Sequence, residues 1–181
     1  MENTQPMAIE KFMRNIEDLA ITFEDISLDA KKKGLAIVDP LLIRLGVAFI
    51  QQTNKNVVVD NFILHSHKHW DKMRSMNEEF FNNNSHEIFG SLPIAKDEKG
   101  TRIDAFKKLF NAKDSSGKYI VEKADRELLW EYFHALIKIS MSHIHETWTR
   151  KGDFYYIDDG SMKINLLEEA EFWGLSSKFK K

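Results

Sequence analysis

The chain has 181 residues, 43% of them hydrophobic and 12% aromatic, enough to fill one core without a metal or disulfide staple. Its 26 basic and 28 acidic residues leave a net charge of −2, so there is no global positive field to hold nucleic acid or an anionic membrane. The lack of Cys excludes disulfides, thiolate nucleophiles, iron–sulfur clusters and Cys-ligated zinc, and 13 Phe against 8 Gly and 3 Pro favour helices over a turn-rich β-sandwich.

The opening MENTQPMAIEKFMRNIEDL is charged, with no continuous apolar region and no small-residue cleavage site. The most apolar stretch, Leu35 to Ile50, is interrupted by Asp39, Pro40 and Arg44 and is too short to cross a bilayer. The expectation is an intracellular, cytoplasmic protein without a transmembrane segment, the virion being the alternative location.

Ile9, Phe12, Ile16, Leu19, Phe23 and Ile26 recur at steps of three and four, which predicts an amphipathic helix closed by Lys31, Lys32, Lys33 and Gly34. A second helix is predicted from Asp39-Pro40 through LLIRLGVAFI, because Asp caps orphan amides and Pro suits the first turn. The third, Val57 to about Met76, sets Val59, Phe62, Ile63, Ser66, Trp70 and Met73 on one face. Asn77 caps a fourth, carrying Phe80, Phe81, Ile88 and Phe89 and stopping at Gly90-Ser91-Leu92-Pro93, with a KDEKG loop after it.

Thr101 caps a fifth helix, RIDAFKKLF, followed by the turn-rich NAKDSSGK and a short strand at Tyr119-Ile120-Val121. Lys123 to Thr147 is the longest and most apolar segment: Leu128, Leu129, Trp130, Tyr132, Phe133, Leu136, Ile137, Ile139, Met141 and Ile144 cover more than half its circumference. Such a helix belongs at the centre, with a stripe of Glu127, Glu131, His134, Lys138 and His145 left for water. FYYI and MKIN flank Asp158-Asp159-Gly160-Ser161 and predict a β-hairpin, followed by a short helix ending at Trp173-Gly174 and a frayed basic SSKFKK. The fold class is therefore mainly α: a single-domain helical bundle over residues 1–181, with a long central helix and a small C-terminal β-hairpin, the hairpin and tail occupying about 153–181.

Three groups of residues bear on function. His65 and His69 are four apart on a helix, the His pair of a zincin, but Ser66 stands where that motif needs its Glu. With Lys68 and Lys72 the two His form a basic stripe beside the apolar face, and the solvated-stripe reading explains more of the sequence. His143 and Glu146, three apart in SHIHE, could ligate a divalent metal as in di-iron bundles, helped by His65, His69 or a Glu among Glu78, Glu79 and Glu87. His143 falls between Tyr132 and Leu136 around the helix, which favours a buried, hydrogen-bonded core histidine.

DSSGKYIVE has Gly117 in a calcium-loop position, but the register puts Ala112 and Lys123 where the essential carboxylates belong. There is no GxxxxGK[ST], GxGxxG or GxSxG motif. The basic residues Arg102, Lys107, Lys108, Lys113 and Lys118 near Phe106 and Phe110 are interleaved with acids, so they give no strong nucleic-acid signal. Trp148 and Trp173 lie near helix ends and, with Phe154 and Tyr155, form the expected interaction surface.

LLEEAEFWGL, Leu166 to Leu175, resembles the closing helix of BTB/T1 domains, but nothing earlier resembles that family's opening strands, and we read it as a helix-ending pattern. Over about Asn61 to Glu146, HSHKHWDKM, NEEFF, AFKKLF, LLWEYFHALIKIS and SHIHE together resemble uncharacterised proteins of large nucleocytoplasmic DNA viruses. That resemblance implies a virus-encoded minor structural or assembly component and transfers no catalytic residue. The functional expectation is a non-catalytic helical protein that binds a protein partner or itself and needs no cofactor. The alternatives are a metal-binding helical protein or metal-dependent enzyme and, third, a weak nucleic-acid accessory role that would show as a steep fall of binding with salt.

Overall fold

The computed structural model describes residues 7–34, 44, 46–48, 51–89 and 101–180, without the side chains of 89, 101–103 and 105. Most of the helix expected from Asp39 to Ile50, the stop at 90–93, the 96–100 loop and the side chains of Phe89, Thr101 and Arg102 lie outside that set. The chain is mainly helical, with a small antiparallel sheet near its C-terminus. Among the described residues no helix is long and apolar enough to cross a membrane.

Helix α1 (Met7–Lys32) buries Ile9, Phe12, Ile16, Phe23 and Ile26, the stripe its periodicity picks out. The predicted third helix is divided into α2 (Lys55–Ser66), a 3₁₀ turn (His67–His69) and α3 (Trp70–Arg74). Its apolar face survives the division, since Val59, Phe62, Ile63, Ser66, Trp70 and Met73 are all buried. The break has a tertiary cause. His67 Nε2 reaches Glu169 at 2.8 Å and His69 Nε2 reaches Glu87 at 3.1 Å, while the Trp70 indole donates back to Ser66 Oγ. A tighter turn of three residues aims the two imidazoles at different elements.

Helix α4 (Glu78–Phe89) starts where Asn77 Oδ1 accepts from the Phe80 amide. Helix α5 (Thr101–Asn111) precedes a turn in which Asp114 Oδ1 accepts from Ser116 N, Ser116 Oγ and Lys118 N. That carboxylate oxygen is used by its own loop. The predicted strand at 119–121 is only a single bridge, Lys113 to Tyr119. Ile120 N donates to Ala112 O at 3.0 Å, and Ile120 and Val121 bury their side chains in a cluster with Phe23, Ile26 and Leu109.

Helix α6 (Lys123–Thr147) matches its predicted span and packs most extensively on α1, with α2 and α3 also against it. Glu127, Glu131, Lys138 and His145 are exposed as the pattern requires, but His134 is half-buried and donates to the Met73 carbonyl. Leu128 is exposed, contrary to its apolar character. The main core joins the first half of α1 to α2, α4, α6 and the sheet, and a smaller one joins the second half of α1 to α5 and Leu129. Phe81 bridges them, with ring centroids 5.2 Å from Phe133, 5.5 Å from Trp130 and 5.8 Å from Phe106. Aromatic pairs of this kind contribute about 0.5–1.5 kcal/mol each beyond burial.

The predicted hairpin is present as β2 (Phe154–Tyr156) and β3 (Lys163–Ile164), with Tyr155 opposite Ile164. A further strand, β1 (Thr149–Lys151), pairs with β2 and makes the sheet three-stranded. The tight link between β1 and β2 holds Gly152 at φ 63°, a conformation that costs a side-chain-bearing residue steric energy. Helix α7 (Leu166–Phe172) ends in a Schellman turn, where Gly174 is at φ 67° and Leu175 N donates to Ala170 O at 2.7 Å. The tail is not frayed throughout: Ser176–Phe179 forms α8, and Phe179 is buried against the core.

Candidate interaction surface

Of the four aromatics expected at an interface, two are structural. Trp148 is 7% exposed and Tyr155 5% exposed, and both belong to the main core. The Trp148 indole donates to Asp60 Oδ1 at 2.9 Å, and the Tyr155 hydroxyl lies 2.9 Å from His145 Nδ1. Satisfied polar tips let both rings be buried at little cost. The expected set of Trp148, Phe154, Tyr155 and Trp173 therefore does not form one exposed face.

The metal candidates are also separated by their partners. His143 is fully buried and its Nε2 donates to Asp60 Oδ1 at 2.9 Å, the oxygen that receives the Trp148 indole. Glu146 is exposed and accepts from the Ala8 amide at 3.2 Å. His65 is exposed, and His69 is turned to Glu87. Among the described residues no three His, Asp or Glu side chains are grouped so as to hold a metal ion. The Asp60–His143–Trp148 node ties α2 to the end of α6, with Thr147 Oγ1 capping the His143 carbonyl. Among the described residues His143 Nδ1 has no hydrogen-bond partner, and the imidazole is fully buried.

Three of the four residues of the basic stripe have an acid beside them. Lys68 and His69 both bond Glu87, and Lys72 lies 3.6 Å from Asp71. Hydrogen bonds from Lys68 and then His69 hold the Glu87 carboxyl below its ordinary 4.5. The acids near the α5 patch are engaged likewise. A hydrogen bond from His86 lowers Asp104, and one from the Ser116 side chain lowers Asp114.

Among the exposed apolar side chains, Phe172 stands at a corner where α7 ends beside α3 and α6. Phe172 is 60% exposed, yet its backbone is held, because Arg74 Nη1 donates to the Phe172 carbonyl at 3.2 Å and the guanidinium lies 5.8 Å from its ring. Next to it, half-buried Trp173 stands edge-on to His134 at 5.3 Å, with Lys138 Nζ 5.9 Å from its ring. Met76, two residues beyond Arg74, is exposed and has φ 52°, a left-handed conformation unusual for a residue other than glycine.

Sequence reasoning missed Asp60 and Arg126. Asp60 interrupts VVVDNFIL, a signal that the polar group has a buried partner, though not which. Arg126 sits in a charged run at the start of α6 and is nevertheless buried, its guanidinium on the Glu78 carboxylate, the Phe110 carbonyl and the faces of Phe110 and Tyr119.

The fold and this corner define a helical protein with a small C-terminal sheet. No protein-family model, curated protein or solved structure matches the chain.

Proposed function

We propose that the chain is a non-catalytic protein-interaction module whose contact corner is Phe172 and Trp173, bordered by Arg74, Lys138 and His134. The observation that carries this reading is an aromatic side chain 60% exposed on a backbone already clamped by Arg74. Binding there needs little ordering of the chain, and aromatic anchors dominate interface energies. The cations around the rings suit a protein segment with one apolar anchor beside carboxylates. The resemblance to proteins of large DNA viruses supports an assembly or minor structural role within that reading, inside the infected cell or in the virion.

A photo-crosslinking phenylalanine analogue placed at Phe172 tests it, with Tyr119, also exposed but remote in sequence, as the control position. The expected result is one adduct specific to position 172, with another protein or with a second copy, suppressed by Trp173→Ala. Adducts equal at both positions, or none, contradict the proposal.

A further inference from the structure

The outer face of the C-terminal sheet is a second surface, independent of the Phe172 corner. Pairing sets Lys151 opposite Phe154, Thr149 opposite Tyr156 and Lys163 opposite Tyr156. Paired residues share a face, so these five side chains stand on one side, while Tyr155 and Ile164 point to the core on the other. The two outward rings are alternate residues of β2, about 6.8 Å apart along the strand. A cation lies over each, diagonally across the sheet: Lys163 Nζ is 4.9 Å from the Phe154 centroid and Lys151 Nζ 5.5 Å from that of Tyr156.

The three strands contain Arg150, Lys151 and Lys163 and no acid. The acids lie in the turns, at Asp153, Asp158 and Asp159, and Asp159 accepts from the Ser161 amide. Here the two rings lie on one face of one strand, each with a lysine beside it. Alternating cations and π-faces match a strand whose charges and bases alternate: phosphates draw the lysines, and bases take the ring faces they leave. A duplex offers the phosphates but keeps its base faces stacked inside.

We propose that this face binds single-stranded nucleic acid, with Phe154 and Tyr156 stacking on neighbouring bases and Lys151 and Lys163 pairing with the phosphates beside them. The chain's net charge of −2 confines the interaction to modest affinity and low salt.

The test is fluorescence anisotropy of a labelled oligothymidylate of about 12 nucleotides, titrated with the full chain. Two phosphate contacts predict a log–log salt slope of about −1.4, and an unlabelled strand should compete where duplex does not. Phe154→Ala and Tyr156→Ala should each weaken binding at least about fivefold. Lys151→Glu combined with Lys163→Glu should abolish it, and Lys123→Glu, at the far end of α6, should leave it unchanged. Circular dichroism of each variant confirms that the fold is kept. The proposal is overturned by no binding at low salt, by binding indifferent to both aromatic substitutions, or by an equal loss in Lys123→Glu. A crosslinker at Phe154 that captures protein while the oligonucleotide fails to bind overturns it in favour of a protein contact.

Discussion

Within the last 34 residues the chain uses aromatic side chains in two opposite ways. Trp148 and Tyr155 are buried, and each polar tip has a hydrogen-bond partner, Asp60 for one and His145 for the other. Phe154, Tyr156, Phe172 and Trp173 keep part of their surface in water, with a cation over each ring. The difference teaches that aromatic content near a helix end does not mark an interface. The distinguishing feature is burial with a satisfied polar tip, since Arg150 lies 5.8 Å from the buried Tyr155 ring as well and a nearby cation alone does not mark an exposed one.

That contrast is open to direct attack. The largest effect is expected from Trp148→Ala, which empties a core site and leaves Asp60 without its indole donor. A loss of about 3–5 kcal/mol follows from large-to-small substitution in cores, read as a lower urea midpoint at unchanged slope. Asp60→Ala should cost about 2–3 kcal/mol, because it strands the Trp148 N–H and leaves His143 Nε2 only its longer contact with Thr147 Oγ1 at 3.3 Å, and Asp60→Asn should recover part of that by restoring an acceptor oxygen. If Asp60→Ala melted with the wild type, the node would not hold α2 to α6.

Arg126 sharpens the comparison, since it is a cation over two rings, Phe110 and Tyr119, but a buried one. Arg126→Met should lower stability by about 1–2 kcal/mol through the lost bonds to Glu78 and the Phe110 carbonyl, measurable by thermal melting. Phe172→Ala, in contrast, should change stability by less than about 0.5 kcal/mol.

The smallest effect is the pH dependence of the exposed pairs. The Glu87 carboxyl is held below its ordinary 4.5 by Lys68 and then His69, so its contribution is present above that value and is lost as pH falls through the lowered one. The stability difference between the wild type and Glu87→Gln should therefore shrink as pH falls from neutrality to below 4.5. A difference constant over that range would mean that the pair adds nothing to the fold.

Local pattern made much of the architecture legible. The α1 stripe from Ile9 to Ile26, the span of α6, the Asn77 start and the turn between β2 and β3 all follow from periodicity or capping chemistry over neighbouring residues. What escaped depended on distant partners. The break at His67 to His69 requires Glu87 and Glu169, 18 and 102 positions further along the chain. Strand β1 depends on its pairing with β2, and among the described residues the 119–121 segment has only the bridge from Tyr119 to Lys113. Burial of Phe179 likewise depends on α8 folding back to His145, whose ring lies 5.4 Å away, and no window of SSKFKK contains that information.

The site was less legible than the fold. His143 was correctly read as a buried, bonded histidine, but its partner Asp60 lies 83 positions earlier. Trp148 and Phe172 look alike as aromatic residues at helix ends, and what separates them, core packing and the acceptor Asp60 for Trp148, comes from distant parts of the chain. Spacing within the helix suggested that His143 and Glu146 could act together, but His143 is drawn into the core while Glu146 caps the start of α1.

The most direct test of this division is urea denaturation of Trp148→Ala and Phe172→Ala side by side with the wild type. The account predicts a strongly lowered midpoint for Trp148→Ala and coincident curves for Phe172→Ala and the wild type; equal losses in the two variants, or a larger one in Phe172→Ala, would contradict it.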